Sequence, residues 1–312
     1  QLLRKFDFHF HQNLFCQNEF YKDKKVLVTG GAGFIGSYIV EELIKQKAKV
    51  TILDNFSSGV LKNLLNVLPS INIIYGDITN PFTALKATKN QEIVFHLAAL
   101  VSVAQSTQNP NLCNQINFEG TKHLLEGCKK NGVKTFIFSS SSAVYGNHDK
   151  ECKEEDSVNP LSPYAQSKLD SEKLCKQYAQ NYEINTASLR YFNVHGERQN
   201  PNGEYAAVLS KFKYNLIHNK PLVIFGDGKQ TRDFIHVSKV VEANLNVATQ
   251  ENLNGEIFNI GSGKSINLLE LIEKLEKEIN TKKTNLIFED ERIGDIKFSY
   301  ANCEKYKNLI NQ

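Results

Sequence analysis

Tyr164 and Lys168 are the residues whose types and spacing best suit proton transfer. They stand four residues apart in Tyr164-Ala165-Gln166-Ser167-Lys168, so on a helix both side chains project from one face. A tyrosine ordinarily ionises at about pH 10, and a neighbouring ammonium group lowers that pKa by stabilising the phenolate. The pair therefore predicts a phenolate that takes a proton from a hydroxyl group while hydride leaves the same carbon. An isolated pattern of this kind is more often an exposed pair on an ordinary helix.

A run of serines offers a second proton-handling group. Ser139 to Ser142 follow a predicted strand, Thr135–Ser139, and precede Ala143-Val144-Tyr145-Gly146. Doubly wound sheets bind ligands at the carboxyl ends of their strands. We predict that the Ser141 hydroxyl donates to the reacting oxygen, with Ser142 as the second candidate. The remaining serines are expected to form the turn.

A glycine-rich turn predicts a dinucleotide site. Gly31-x-Gly33-x-x-Gly36, preceded by Gly30, lies between an apolar run at Val26–Val28 and an apolar pattern at helical spacing. This order predicts a buried strand, a tight turn and a helix. Glycine is needed because a pyrophosphate must lie against bare backbone at the positive end of the helix.

Asp54 indicates which dinucleotide is bound. It ends a second predicted strand, Val50–Leu53, and stands 18 residues after Gly36. A carboxylate there accepts hydrogen bonds from the adenosine ribose of NAD and repels the additional phosphate of NADP. We therefore predict NAD as the cofactor, against the alternative that Asp54 is a solvated turn residue.

Composition excludes several other classes of protein. The 312 residues carry a net charge of +3 with 41% apolar content, which predicts neither a nucleic-acid surface nor a membrane partner. The longest apolar run, Val94–Ala104, is too short to span a bilayer. Six scattered cysteines predict no metal site and a reduced, cytoplasmic chain without disulfides. Methionine is absent, so the chain is expected to be trimmed at its start.

Alternating strand and helix signals predict an α/β fold, a Rossmann-like doubly wound parallel sheet with a smaller C-terminal α/β substrate-binding lobe. The predicted domains are an N-terminal extension (1–23), an NAD-binding domain (24–192) and an interleaved nucleotide-sugar-binding domain (193–312). Further strands are predicted at 71–75, 93–99 and 186–191, and helices at 60–68, 111–130, 162–182 and 268–279. No closing helix is predicted before Asn311.

Taken together, these residues resemble the extended short-chain dehydrogenase/reductase superfamily, and within it the nucleotide-sugar 4-epimerases of the UDP-N-acetylglucosamine and UDP-glucose types. The resemblance covers Lys24 to Ala301. Its motifs are TGGAGFIGS, LDNFSSG, GDIT, HLAA, NFEGT, SSSSAVYG, YAQSK, RYFNVHGERQNPNGEYAAV, FGDGKQTRDFIHV, FNIGSG and RIGDIKFS. The usual C-terminal helix of the family is not found, which implies a truncated end.

The resemblance implies a role for each matching position. Ser141, Tyr164 and Lys168 fall on the catalytic trio, and Asp77 with Ile78 would hold the adenine. The cofactor set is Gly30, Gly33, Phe34, Ile35, Gly36, Asp54, Asn55, Ser57, Ser58, Gly59, Asp77, Ile78, Leu97, Ala98, Ala99, Asn117, Ser139, Tyr164, Lys168 and Tyr191. The substrate set is Ser141, Ser142, Asn193, Ala207, Val208, Phe212, Phe225, Arg232, Arg292, Asp295 and Ser299.

Within the substrate set, the resemblance assigns each part of a UDP-sugar. Asn193 and the two arginines would bind the diphosphate, and Ala207, Val208 and Phe225 the uridine. Ser299 falls where the family contacts the 2-substituent, and its small side chain leaves room for an N-acetyl group. His195 and Glu197 depart from the family pattern. The implied partners are a UDP-sugar substrate and a second copy of the chain, joined through a four-helix bundle formed by 112–128 and 169–178.

The implied activity is NAD-dependent epimerisation at C4 of UDP-GlcNAc/UDP-GalNAc through a 4-keto intermediate, with UDP-Glc/UDP-Gal as a further pair, in nucleotide-sugar metabolism and polysaccharide biosynthesis. A 4,6-dehydratase needs a carboxylate pair after the serine, where Ser142-Ala143 stand. A UDP-uronic acid decarboxylase is not separated from an epimerase by sequence. A non-catalytic NAD-sensing or scaffold protein is disfavoured because both Tyr164 and Lys168 are present.

Overall fold

The computed structural model describes residues 19–148, 150–199, 208–281, 285–291 and 297–311. Its strands are β1 (Lys25–Thr29), β2 (Lys49–Asp54), β3 (Ile71–Tyr75), β4 (Ile93–His96), β5 (Thr135–Ser141), β6 (Asn185–Tyr191), β7 (Asn193–His195), β8 (Leu222–Phe225), β9 (Thr231–His236), β10 (Glu256–Ile260), β11 (Ser265–Asn267) and β12 (Leu286–Glu289). Its helices are α1 (Phe34–Lys45), α2 (Pro81–Thr88), α3 (Val103–Gln108), α4 (Pro110–Asn114), α5 (Gly120–Asn131), α6 (Pro163–Tyr182), α7 (Val208–Ile217), α8 (Val237–Ala248), α9 (Leu268–Ile279) and α10 (Glu304–Ile310).

Seven parallel strands form the main sheet, in the order β10-β6-β5-β4-β1-β2-β3. The predicted Rossmann-like doubly wound sheet is therefore confirmed. The strand order reverses between β1 and β4, and ligands of such sheets bind at the carboxyl ends of the strands beside this reversal. The last strand of this sheet comes late in the sequence: β10 pairs with β6 after the chain has formed β7, β8 and β9 elsewhere.

Alternate residues of the strands supply the cores on the two faces of the sheet. Val26 and Val28 pack with α1 and α8 on one face, and Leu27 packs with α2, α5 and α6 on the other. Burial on both faces explains why these strands are apolar throughout rather than alternating.

The smaller lobe has its own core between α7 and α9, built around Phe212, Leu216 and Leu271. Two short sheets accompany it, β11-β9-β7 and β12-β8. Helix α9 begins with a capping box, in which Asn267 Oδ1 accepts from the Glu270 N–H at 2.9 Å and the Glu270 carboxylate accepts from the Asn267 N–H at 3.2 Å.

Several predicted elements differ from the structure. The helix predicted at 60–68 is wrong: only 3₁₀ turns occur, at Leu61–Leu64 and Leu68–Ser70. The Val60 N–H and Asn63 Nδ2 both donate to the Ala32 carbonyl, at 3.0 and 2.9 Å, so a tertiary contact with the glycine turn fixes this segment. The strand predicted at 93–99 ends at His96. Helix α10 was not predicted, and its Tyr306 and Leu309 pack against the main core.

Candidate active site

The glycine turn after β1 leaves no room for side chains. Gly30 adopts a left-handed φ of +68°, and a Cβ on Gly36 would lie 2.2 Å from the Gly30 carbonyl oxygen. Helix α1 begins at Phe34, and its first N–H groups have no partners within the helix. Gly33 at the N-cap has no side chain that could accept from them. Because Phe34, Ile35 and Gly36 line a large cleft, this helix end is suited to a pyrophosphate.

Asp54 lies in the same cleft with its carboxylate oriented by backbone groups. Its Oδ2 accepts from the Ala32 N–H at 2.9 Å and its Oδ1 from the Phe56 N–H at 2.8 Å. Each oxygen retains a further lone pair for ribose hydroxyls. Nearby, Asn55 Nδ2 donates to Asp77 Oδ2 at 2.7 Å. Burial alone would raise the pKa of Asp77, but hydrogen bonds from Thr79 and Asn55 hold that pKa below its usual value.

Leu97, Ala98 and Ala99 form a wall of the cleft that Thr29 and a buried histidine hold in place. The sequence analysis did not identify this histidine. The Thr29 hydroxyl oxygen accepts from the N–H groups of Leu97 and Ala98, at 3.2 Å each. His96 Nδ1 lies 2.7 Å from the same hydroxyl. Burial lowers the pKa of His96 to about 3, so this imidazole is neutral. The motif HLAA was the available signal, but the partners of its histidine are distant in sequence.

Asn117 does not occur among the described residues that line the cleft, although the resemblance placed it in the cofactor set. Its Oδ1 accepts from the Leu100 N–H at 2.8 Å, and its Nδ2 donates to the Leu100 carbonyl and to Ser167 Oγ, at 3.0 Å each. The Ser167 hydroxyl in turn donates to the Tyr164 carbonyl at 2.8 Å. Asn117 therefore joins the cleft wall to the helix that carries the tyrosine.

Three predicted catalytic residues come together at the carboxyl end of β5. Ser141 ends this strand, and Tyr164 and Lys168 occupy the first turns of α6, which Ser162 caps by accepting from the Ala165 N–H at 3.1 Å. Lys168 Nζ donates to the Ser139 carbonyl at 2.7 Å. Burial lowers the pKa of Lys168 to about 8.

The pKa of Tyr164 departs from the prediction. Burial raises it above its usual value, and a side-chain hydrogen bond with Ser141 opposes this only in part. Lys168 Nζ lies 5.9 Å from the centroid of the Tyr164 ring. The direction is thus opposite to the one expected from the Tyr-Lys pair, because loss of hydration disfavours the phenolate more than the described neighbours favour it.

Asn193, Arg232 and Ser299 line the same cleft, and so does Ser142. Asn193 Nδ2 donates to the Asp233 carbonyl at 3.1 Å. The buried Asp233 carboxylate accepts from the N–H groups of Ser262 and Gly263 at 2.7 and 3.0 Å, and from that of Ala301 at 3.2 Å. Asp233 therefore connects these segments, through its carbonyl to Asn193 and through its carboxylate to the segments of Ser262 and Ala301.

The remaining predicted substrate residues are placed differently. Phe212 is buried in the lobe core against α9, and neither Val208 nor Phe225 occurs among the described lining residues. Ala207, Arg292 and Asp295 lie outside the described residues. By contrast, the cleft includes Arg198, which was not predicted as a site residue; its guanidinium lies 4.2 Å from the Tyr38 ring centroid and 2.6 Å from a Glu41 carboxylate oxygen.

The cleft encloses about 1730 Å³. That volume exceeds the roughly 300–1,000 Å³ of an ordinary small-molecule site, so it can hold a dinucleotide and a second ligand together. The described side chains contain no group of three or more histidine, cysteine or acidic residues placed to hold a metal ion. In the same parts of the chain, every helix is too short or too polar to cross a bilayer.

Known proteins are similar to this chain in sequence and in fold. A putative UDP-glucose 4-epimerase of Methanocaldococcus jannaschii is 40% identical over 91% of this chain and 92% of its own. A UDP-N-acetyl-alpha-D-glucosaminuronate decarboxylase of Bacillus cytotoxicus is 36% identical over 81% of this chain and 80% of its own. The solved UDP-N-acetylglucosamine 4-epimerase of Methanobrevibacter ruminantium M1, in complex with UDP-N-acetylmuramic acid, is 41% identical, covers 92% of both chains and superposes with a TM-score of 0.87.

The model of the NAD dependent epimerase/dehydratase family matches residues 26–261, from β1 to the end of the main sheet. The glycine turn, Asp54 and the Ser-Tyr-Lys group all lie within this range. The chain therefore belongs to the NAD-dependent epimerase/dehydratase family.

Proposed function

We propose that this protein is an NAD-dependent UDP-sugar 4-epimerase that interconverts UDP-GlcNAc and UDP-GalNAc, with UDP-Glc and UDP-Gal as a further pair. The observation that carries the proposal is the convergence of Ser141, Tyr164 and Lys168 on the cleft that the glycine turn and Asp54 also line. When bound, NAD supplies a hydride acceptor and donor at the sugar carbon.

The residues of the chain then have distinct tasks. Tyr164 takes the proton of the sugar 4-hydroxyl, and Ser141, hydrogen-bonded to the phenol, orients the same oxygen. Positive charge from Lys168 and from the oxidised cofactor favours the phenolate, which burial alone disfavours. Arg232, with Arg292 in the role implied by the resemblance, holds the diphosphate while the 4-keto sugar presents its other face.

Ser299 supports the choice of an N-acetylated substrate. Its small side chain is 6% exposed and lines the same cleft as Tyr164. The names of two of the relatives above also contain N-acetylated UDP-sugars. The direct test is NMR of the purified protein with UDP-GlcNAc and, in a separate sample, with UDP-Glc. The proposal expects a second anomeric signal from the galacto epimer in the first sample.

The decarboxylase relative provides a second candidate function. An enzyme of that kind would release CO₂ from a UDP-uronic acid, so incubation with UDP-GlcNAcA and measurement of CO₂ separates the two activities. A 4,6-dehydratase would instead release water and leave a 4-keto-6-deoxy sugar. Tight NAD binding without turnover of any UDP-sugar would favour the sensor or scaffold alternative and contradict an enzymatic function.

We also propose a cytoplasmic homodimer. The five cysteines among the described residues are free and buried, which suits a reducing compartment. Leu112 on α4 is 41% exposed and suits an apolar contact with a second copy. Light scattering on the purified protein tests the dimer, which a monomeric mass would contradict. Cell fractionation tests the location.

A further inference from the structure

A buried ion pair lies directly behind the reacting end of β5. Arg190 in β6 binds Glu172 in α6 through two hydrogen bonds, Nε to Oε1 at 2.9 Å and Nη2 to Oε2 at 2.7 Å. The side chains are only 3% and 2% exposed. Removing two charges from water offsets much of their attraction, so a buried pair of this kind is weak evidence for stability. Its position indicates another role.

The pair contacts the strand that carries Ser141. Ser140 Oγ donates to Glu172 Oε1 at 2.5 Å, and Ser140 is the register partner of Arg190 in the sheet. Glu172 also follows Lys168 by one helical turn, while Lys168 Nζ binds the Ser139 carbonyl. The Glu172 carboxylate is thus bonded to Ser140, next to Ser141, and lies one helical turn from Lys168.

We propose that Glu172, held by Arg190, is a positioning residue for the reaction: it fixes the end of β5 that presents Ser141 and keeps Lys168 in its ammonium form. This inference rests on the proposed function for its catalytic meaning, but the contacts that carry it are independent of the substrate.

The charges around Lys168 support this role. The titratable groups that face it are Tyr164, Glu172 and Cys175 on α6, Cys113 on α4 and His96 on β4. Burial raises the pKa of both thiols and of Tyr164, and His96 is neutral, which leaves Glu172, the carboxylate of the ion pair with Arg190, as the acidic side chain that opposes the charge of Lys168. Burial lowers the pKa of Lys168 to about 8, and Glu172 acts against a further fall.

The test uses the full-length, NAD-loaded protein. The single change Glu172→Gln leaves Arg190 buried and unpaired and endangers folding, so the principal variant is the neutral pair Glu172→Gln with Arg190→Gln. The matched control is Ile137→Val, a buried change on β5 away from the pair. Two experiments are made. Steady-state kinetics give kcat and KM for UDP-GlcNAc and UDP-Glc across pH, and ¹³C-lysine NMR follows the titration of the Lys168 side chain, whose signal is assigned with Lys168→Arg.

The proposal expects kcat at the optimum to fall at least about tenfold with KM little changed. It also expects the Lys168 titration and the alkaline loss of activity to move to lower pH by roughly one unit. In the control Ile137→Val, the Lys168 titration and the alkaline loss of activity should both stay at their wild-type pH. An unchanged titration with unchanged kcat would overturn the inference. A wild-type protein that converts neither sugar would overturn the proposed function instead, while the NMR titration would still decide the role of Glu172.

Discussion

His96 Nδ1 lies 2.7 Å from the hydroxyl oxygen of Thr29, so a buried imidazole joins β4 to the residue that precedes the glycine turn. Its Nε2 lies 2.9 Å from the Thr121 hydroxyl on α5. Both ring nitrogens are therefore used inside the protein, and protonation would leave a charge in a core without a nearby anion among these partners. We therefore expect the cleft wall formed by Leu97, Ala98 and Ala99 to keep its shape only while His96 is neutral.

Acid should therefore destabilise the fold through His96. Its pKa falls from 6.5 to about 3 on folding, so between these values the unfolded chain binds more protons and stability rises with pH. Each such group contributes a slope of up to about 1.4 kcal/mol per pH unit. The free energy of unfolding, measured with urea, should fall less between pH 7 and pH 5 in His96→Gln than in wild type. The exposed His218→Gln serves as the control; a His96→Gln slope equal to wild type would contradict this account.

Replacing Gly36 by alanine should impair NAD binding. The new Cβ would lie 2.2 Å from the Gly30 carbonyl oxygen, which is backbone and cannot rotate away. Overpacking of this kind costs about 1–3 kcal/mol, which corresponds to a loss of roughly five- to 150-fold in NAD affinity if the turn is displaced. Calorimetric titration measures the effect. Gly132→Ala, at a left-handed helix end with nothing within 4 Å, should lower stability but leave NAD affinity unchanged.

Asp54→Asn should reduce the preference for NAD over NADP. The change removes the negative charge that repels the additional phosphate, and one carboxylate oxygen that now accepts from a backbone N–H becomes an amide donor. We expect the ratio of the two dissociation constants to shift by about tenfold toward NADP. Parallel titrations with both dinucleotides provide the measurement, and an unchanged ratio would remove Asp54 from the ribose site.

Tyr164→Phe should abolish most turnover without loss of the cofactor. Only the phenolic oxygen is removed, and proton transfer by a positioned group contributes roughly 10²–10⁴-fold to rates. Tyr182→Phe, at the 42% exposed end of the same helix, is the matched control and should keep wild-type activity. Near-normal turnover of UDP-sugars by Tyr164→Phe would refute the proposed mechanism.

Ser299→Tyr should depress activity on the N-acetylated pair more than on UDP-Glc and UDP-Gal. Ser299 is buried in the cleft wall, and a phenol ring there would occupy the space proposed for the acetamido group. The ratio of kcat/KM values for the two sugars is the quantity to compare. Ser265→Tyr, exposed on β11 of the same lobe, is the control. An equal ratio in Ser299→Tyr and wild type would count against this assignment.

Local patterns were sufficient for much of the fold. The helix predicted at 268–279 has those bounds, and Ser162 caps the predicted α6. The failures are tertiary. The segment 60–68 is not an α-helix, and its Val60 N–H and Asn63 side chain instead donate to the Ala32 carbonyl. Phe212 is buried because α7 packs against α9.

Type and spacing predicted that Ser141, Tyr164 and Lys168 lie close together, and all three line the same cleft. The raised pKa of Tyr164 was not predicted, because it depends on burial that spacing does not reveal. The Arg190–Glu172 pair joins two elements and was missed for a related reason: in sequence, each is an ordinary charged residue of a strand or a helix.

The late return of β10 to the main sheet also has a consequence during synthesis. Until residue 260 has left the ribosome, β6 is an open edge of the sheet, although its residues Thr186 to Tyr191 are all buried in the folded protein. Helix α8, which covers the adjoining face, also follows β6 in the sequence. The nascent chain therefore cannot complete its main sheet before β7, α7, β8, β9 and α8 have been translated.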